Sequence, residues 1–176
     1  MNAGIKEILK KCGALSYGDF VLSSGKRSQY YIDIKKASTD PGILVVIAEE
    51  MAGTLSSNNV RFDRIAGVVL GSVPLAVALS LETGIPYVMV RKEKRDHGTA
   101  KLVEGTFNIG ERILVVEDVI TSAGSVADAI TTLRNGGAAV ETVLAVVDRQ
   151  EGGRERLEGM NVSLLSLLTA GDLLGD

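Results

Sequence analysis

The sequence predicts an α/β fold in which a parallel β-sheet is flanked by helices. Short, unbroken apolar runs stand at residues 64–70, 85–90, 112–116 and 140–147, with a fifth at 161–167. Strands buried on both faces read this way, because neither face alternates with water. Segments of helical length separate the runs, the pattern of βαβ units. At 176 residues the chain suits one domain. About 70% of the unfolded surface can be buried at this size without disulfides or metals. Residues 1–176 are therefore expected to form a single domain.

The elements follow in order. Residues 5–11 carry apolar side chains at helical spacing and predict a short opening helix. Apolar and polar residues alternate from Ser28 to Ile34, predicting strands that turn at Ser24-Gly25. Asp40-Pro41 is a helix start, an N-cap acid before a proline at the first helical position, and the helix is expected to reach about Ser56. The run at 64–70 leads through Gly71-Ser72-Val73-Pro74 into a helix ending near Leu81. The strands at 85–90 and 112–116 follow. A Gly/Ser turn then opens a helix to about Arg134, before the strands at 140–147 and 161–167. The connection at 91–110 is long and lacks a helical apolar stripe. Loops of that length in compact domains are functional or disordered.

Composition excludes several classes. The formal net charge of −3 speaks against a non-specific nucleic-acid binder. One cysteine, Cys12, excludes an internal disulfide, and with one histidine, His97, it leaves too few soft ligands for a zinc site. No apolar run reaches the ~18 residues of a membrane span, and the first residues are too polar for a signal peptide. A cytoplasmic location is expected.

Ligands of parallel sheets bind beyond the carboxyl ends of the strands. That directs attention to residues 70–74, 91–97, 117–125 and 148–153. The third run meets Glu117-Asp118 and continues Val119-Ile120-Thr121-Ser122-Ala123-Gly124-Ser125. Small residues let a ligand approach the backbone, and the first N–H groups of a helix point outward with the positive end of its dipole. The hydroxyls of Thr121, Ser122 and Ser125 add donors. A phosphate cradle beside two carboxylates suits a phosphorylated sugar. The plainer alternative is a capped helix with two solvated acids; the four aliphatics directly before Glu117 favour a site. Other nucleotide signatures are absent. No G-x-G stands anywhere, and Gly25-Lys26 is followed by Arg27 rather than Ser or Thr.

The stretch from Val115 to Ser125 resembles the phosphoribosyl-pyrophosphate motif of type I phosphoribosyltransferases. Three further stretches narrow the resemblance to orotate phosphoribosyltransferases. Gly18-Asp-Phe-Val-Leu-Ser-Ser-Gly-Lys-Arg-Ser-Gln-Tyr-Tyr-Ile-Asp is similar to their N-terminal hood, Arg91-Lys-Glu-Lys-Arg-Asp-His-Gly to their mobile catalytic loop, and Asp148-Arg-Gln-Glu-Gly-Gly to their base-recognition turn. The four matches span about residues 15 to 155 in the same order.

The resemblance implies a phosphoribosyltransferase core, a hood mainly within residues 1–40 and a mobile loop at about 91–106. It implies transfer of a phosphoribosyl group from 5-phospho-α-D-ribose 1-diphosphate to orotate, giving orotidine 5′-monophosphate and pyrophosphate. Glu117, Asp118, Lys92, Arg95 and His97 are the implied catalytic residues. Phosphoribosyl pyrophosphate would meet Arg91, Lys92, Arg95, His97, Gly71, Ser72 and the stretch Glu117, Asp118, Val119, Ile120, Thr121, Ser122, Ala123, Gly124, Ser125. Orotate would meet Thr121, Arg149, Lys26 and Tyr30. Mg2+ is implied as a passenger on pyrophosphate and ribose oxygens, with no direct protein ligand and water-mediated contact to Glu117 and Asp118 as one route. A homodimer with shared sites is implied as well. The charge pattern agrees. Residues 91–101 carry five basic against two acidic side chains, so positive charge gathers where pyrophosphate needs it. The Arg149 fork matches a planar carboxylate bidentately.

The chain departs from many bacterial relatives, which carry lysines where Gly71, Arg95 and Ser23 stand. Lys26 is the hood lysine in a position to replace them. Two other readings make different demands. A nucleic-acid-binding sensor built on this fold needs a basic surface or a helix-turn-helix extension. A purine or xanthine transferase would lack the Tyr30-Tyr31 hood and the Arg149 turn.

Overall fold

The computed structural model describes residues 2–21, 25, 27–92 and 102–175. The chain opens with α1 (Asn2–Lys11) and an antiparallel hairpin of β1 (Leu15–Val21) and β2 (Arg27–Ile32). The hairpin register shifts between Tyr17 and Phe20. The alternation predicted through Ile34 stops at Ile32, because Asp33 caps a short helix, α2 (Ile34–Ser38), by accepting the Lys35 N–H. The next helix, α3 (Pro41–Ser57), starts as predicted. Asp40 Oδ1 accepts the N–H groups of Gly42 and Ile43 at 2.9 and 3.1 Å.

The core then runs β3 (Arg64–Val68), α4 (Val73–Thr83), β4 (Tyr87–Val90), β5 (Val103–Glu104), β6 (Ile113–Ile120), α5 (Gly124–Asn135), β7 (Thr142–Asp148), α6 (Gly153–Glu158), β8 (Ser163–Thr169) and α7 (Ala170–Leu174). The sheet order is β5-β4-β3-β6-β7-β8. All neighbours are parallel except β4 and β5. The five predicted parallel strands are present. The antiparallel edge strand β5 and the helices α2, α6 and α7 were not predicted; none exceeds six residues, too short for periodicity to show.

The strand side chains alternate between two apolar layers. Leu114 and Val116 of β6 pack with Ile5, Ile47, Met51, Leu75 and Leu79 on one side. Ile113 and Val115 pack with Val126, Ile130 and Leu133 on the other. The third run was expected to close at its acids. It does not: β6 continues to Ile120, because Glu117, Val119 and Ile120 still find partners in Ala145, Val147 and Asp148 of β7.

The chain leaves β3 for β4 on one side and returns with β6 on the other. The strand order therefore reverses between β3 and β6, and their carboxyl ends open a crevice there. Helix α4 can lie against β3 only because Gly67 is bare. A Cβ there would stand 2.9 Å from Ala76 Cβ and 3.1 Å from the Ser72 carbonyl oxygen. Gly67→Ala is expected to destabilise the fold by about 1–3 kcal/mol through overpacking, read as a lower denaturant midpoint.

Candidate active site

The site grows from the end of β6. Each acid accepts the N–H of the residue after it: Glu117 Oε1 from Asp118 at 3.0 Å and Asp118 Oδ1 from Val119 at 2.8 Å. Glu117 is only 8% exposed. Burial, followed by the negative charge of Asp118, pushes its carboxyl well above the usual range. The backbone then turns through Thr121 and Ser122 to Ala123, whose φ of +56° is left-handed, and enters α5. The N–H groups of residues 121–125 have no acceptor among the described residues.

A second turn approaches from β3. It contains a cis peptide between Val69 and Leu70. A Cβ at Gly71 would overlap the Asp118 carboxylate and stand 2.8 Å from its Cγ. Ser72 closes this turn from within. Its buried hydroxyl accepts the Val68 N–H at 2.6 Å and donates to the Val68 carbonyl at 2.7 Å.

The third approach is the turn after β7. Asp148, fully buried, accepts the Gln150 N–H at 2.8 Å and pairs with Arg154 at 3.0 Å. The Arg149 N–H donates to the Ile120 carbonyl at 2.8 Å. Gly152 supplies a φ of +90° at the head of α6. A Cβ on Gly153 would overlap Ile120 and lie 2.7 Å from the Thr121 carbonyl oxygen. The turn is thus pressed against the end of β6, and this fixes Arg149. The guanidinium donates through Nε to Glu151 at 2.8 Å and through Nη2 to Ser28 at 3.2 Å, and lies 4.4 Å over the Tyr30 ring. Nη1 makes no hydrogen bond among the described residues.

These elements surround an open cleft of about 660 Å³, a size common for small-ligand sites. Of the residues predicted to bind ligand, Gly71, Lys92, Glu117, Asp118, Val119, Ile120, Thr121, Ser122, Ala123, Gly124, Ser125 and Arg149 line it. Arg91 does not; it pairs with Glu104 of β5 at 3.4 Å. Ser72 spends its hydroxyl on β3. Tyr30 lies under Arg149, while its neighbour Tyr31, packed against Phe20 with ring centroids 5.5 Å apart, reaches the cleft instead. Lys26, Arg95 and His97 lie outside the described residues, as does most of the predicted loop. Lys35 also lines the cleft and had no sequence signal, because it stands on the unpredicted α2. Among the described residues no cluster of three His, Cys, Asp or Glu could hold a metal ion.

The buried Glu117 carboxyl makes a prediction about stability. A raised folded-state pKa favours folding below the ordinary glutamate range, and that advantage is lost as pH rises through the folded value. Glu117→Gln keeps the acceptor for Asp118 and cannot ionise. It is expected to melt a few degrees above the parent at neutral and alkaline pH, and the gap should close below about pH 4, as melting curves across pH would show.

Comparison with known proteins agrees with this geometry. A phosphoribosyl transferase domain family matches residues 39–165. An orotate phosphoribosyltransferase of Methanosarcina acetivorans is 52% identical over 94% of this chain and 88% of its own. One from Thermoplasma acidophilum is 48% identical over 98% and 97%. The crystal structure of orotate phosphoribosyltransferase from Aeropyrum pernix superimposes with a TM-score of 0.87 at 39% identity, covering 97% of this chain and 96% of that one. The chain therefore belongs to the phosphoribosyltransferase family, among its orotate phosphoribosyltransferases.

Proposed function

We propose that this chain transfers the phosphoribosyl group of 5-phospho-α-D-ribose 1-diphosphate to orotate, releasing pyrophosphate and forming orotidine 5′-monophosphate on the route to UMP. The observation that carries this reading is a single cleft in which a carboxylate pair, an open row of backbone N–H groups and an unspent guanidinium nitrogen converge on the end of β6.

The ring nitrogen of orotate attacks the anomeric carbon as the bond to pyrophosphate breaks, and the proton of that ring nitrogen passes to an oxygen of the departing pyrophosphate. The electron pair of that bond leaves with pyrophosphate. Positive charge develops on the ribose, and the Asp118 carboxylate is placed to stabilise it. Glu117 and Asp118 hold the ribose hydroxyls, with the proton that burial favours on Glu117 available as a donor. Residues 121–125 take the 5′-phosphate with N–H groups that need no rearrangement. Gly71 offers bare backbone to the leaving group, and Lys92 faces it from the far side of the cleft. Arg149 presents Nη1 to the orotate carboxylate, and Thr121 and Tyr31 flank the base. Arg95 and His97 bring further donors from the loop, and Lys26 another from the hood.

Mg2+ takes few carboxylates and keeps phosphate oxygens and waters, so the ligand itself would supply most of its shell. It would ride on the pyrophosphate and ribose oxygens, with Glu117 and Asp118 reaching it through water, and would neutralise pyrophosphate charge there. No helix among the described residues is long and apolar enough to cross a membrane. A cytoplasmic homodimer completes the proposal. Its support is the family resemblance and the excess of basic residues at 91–101, a charge that suits a polyanion held by the neighbouring subunit.

The direct experiment offers orotate, uracil and hypoxanthine as acceptors with phosphoribosyl pyrophosphate and Mg2+. Only orotate should be consumed. Arg149→Ala should weaken orotate by about 2–3 kcal/mol while leaving phosphoribosyl pyrophosphate nearly unchanged. Equal losses for both would remove Arg149 from base recognition. Shared sites can be tested by mixing two inactive variants, Lys92→Ala with Arg95→Ala against Asp118→Asn. After re-assortment about half the dimers are mixed, so about a quarter of all sites regain two intact halves. A mixture no more active than its parents would show that each loop serves its own subunit.

A further inference from the structure

We propose that Lys35 is an additional ligand-binding cation of the cleft, meeting the pyrophosphate end of phosphoribosyl pyrophosphate beside the Gly71 turn. This rests on the phosphoribosyl-transfer reading and adds a residue that the sequence motifs do not contain. Lys35 stands on α2, and its Nζ lies 3.0 Å from Asp33 Oδ1 and 4.0 Å from Asp118 Oδ2. The Asp118 carboxylate is the same group that a Cβ on Gly71 would strike. Ammonium, carboxylate and bare turn backbone are therefore contiguous at the crevice between the ends of β3 and β6.

An ion pair this open is a poor device for holding a fold together. The Lys35 side chain is 50% exposed, and exposed pairs contribute little to stability. The placement makes sense for a ligand. Of the described residues lining the cleft, Lys35, Lys92 and Arg149 are the cations. Arg149 is held against Glu151, Ser28 and Tyr30 and leaves only Nη1, which the proposed reading gives to orotate. Without Lys35 a pyrophosphate entering beside Gly71 would meet the negative charge of Asp118. The ammonium offsets that charge and has three donors to share among its partners.

The test uses the reverse reaction of the native chain, orotidine 5′-monophosphate with Mg2+-pyrophosphate, against Lys35→Gln and Lys35→Arg. Thermal melting checks that the variants fold. The Gln variant should raise the KM for pyrophosphate about tenfold and leave that for orotidine 5′-monophosphate within about twofold. The Arg variant, which keeps the charge, should lie close to the parent in both. An unchanged pyrophosphate KM in the Gln variant overturns the proposal. So does an equal rise for both substrates, which would mean that Lys35 acts only by holding Asp118 or the hood. A native chain inert toward orotidine 5′-monophosphate and pyrophosphate, and equally toward orotate and phosphoribosyl pyrophosphate, would instead overturn the underlying function.

Discussion

At the end of β6 the backbones of two other segments come closer than any side chain would permit. From the β3 side, Gly71 rests against the Asp118 carboxylate; from the β7 side, Gly153 rests against Ile120 and Thr121. Two bare α-carbons thus set the spacing of the three turns that form the cleft. The Arg149 N–H bond to the Ile120 carbonyl locks the second approach in place. Parallel pairing brings the ends of β6 and β7 to one level, while β3 stops beside Glu117 and leaves the last three residues of β6 open to the cleft on that side. The backbone at 121–125, whose N–H groups have no acceptor among the described residues, is held from both sides.

A site for a polyanion built around two acids must manage its own charge. The two carboxylates do this differently. Glu117 lies where burial and the charge of Asp118 favour the protonated form. Asp118 reaches the more open side, where Lys35 stands 4.0 Å away. The two acids are thus set apart electrostatically, one favouring its proton and the other facing an ammonium. In the phosphoribosyl-transfer proposal, that arrangement would offer ribose hydroxyls both kinds of partner without setting two full charges against incoming phosphates. Preorganised groups of this kind are most effective where charge develops during reaction.

The parts legible in the sequence are those in which neighbours in the chain are neighbours in the site. Residues 117–125 are continuous, so their acids, small residues and helix start could be read directly. The start of α3 was equally plain, because Asp40 and Pro41 act locally. The rest depends on contacts between distant segments. Whether Tyr30 or Tyr31 faces the cleft turns on the register of the hairpin, which shifts between Tyr17 and Phe20, and on Arg149 docking over Tyr30 from the far end of the core. The end of β6 was placed too early because an acid pair looks like a strand boundary, yet β7 still offers partners to Glu117 and Val119. Lys35 was invisible because a five-residue helix has no period to detect. Ser72 entered only through the family resemblance, and nothing in the sequence signalled that its hydroxyl completes the end of β3, since both partners belong to Val68.

The hood shows how these distant contacts serve recognition. A two-stranded hairpin is marginal on its own in water. This one is anchored by Ile32, followed by Ile34 and Ala37 of α2, all in the core layer that holds α1 and α3. The Asp33 N–H bond to the Ala14 carbonyl, 2.7 Å long, closes its base. From that anchored base, Ser28 and Tyr30 reach Arg149. Glu151, Ser28 and the Tyr30 face restrain the guanidinium on three sides, with one nitrogen left for the ligand. A free arginine would lose rotamer freedom on gripping a carboxylate, a cost of about 0.5–1.5 kcal/mol for a side chain of this kind. Here folding has already met that cost, so the contacts that dock the hood also preset the guanidinium proposed to read the base.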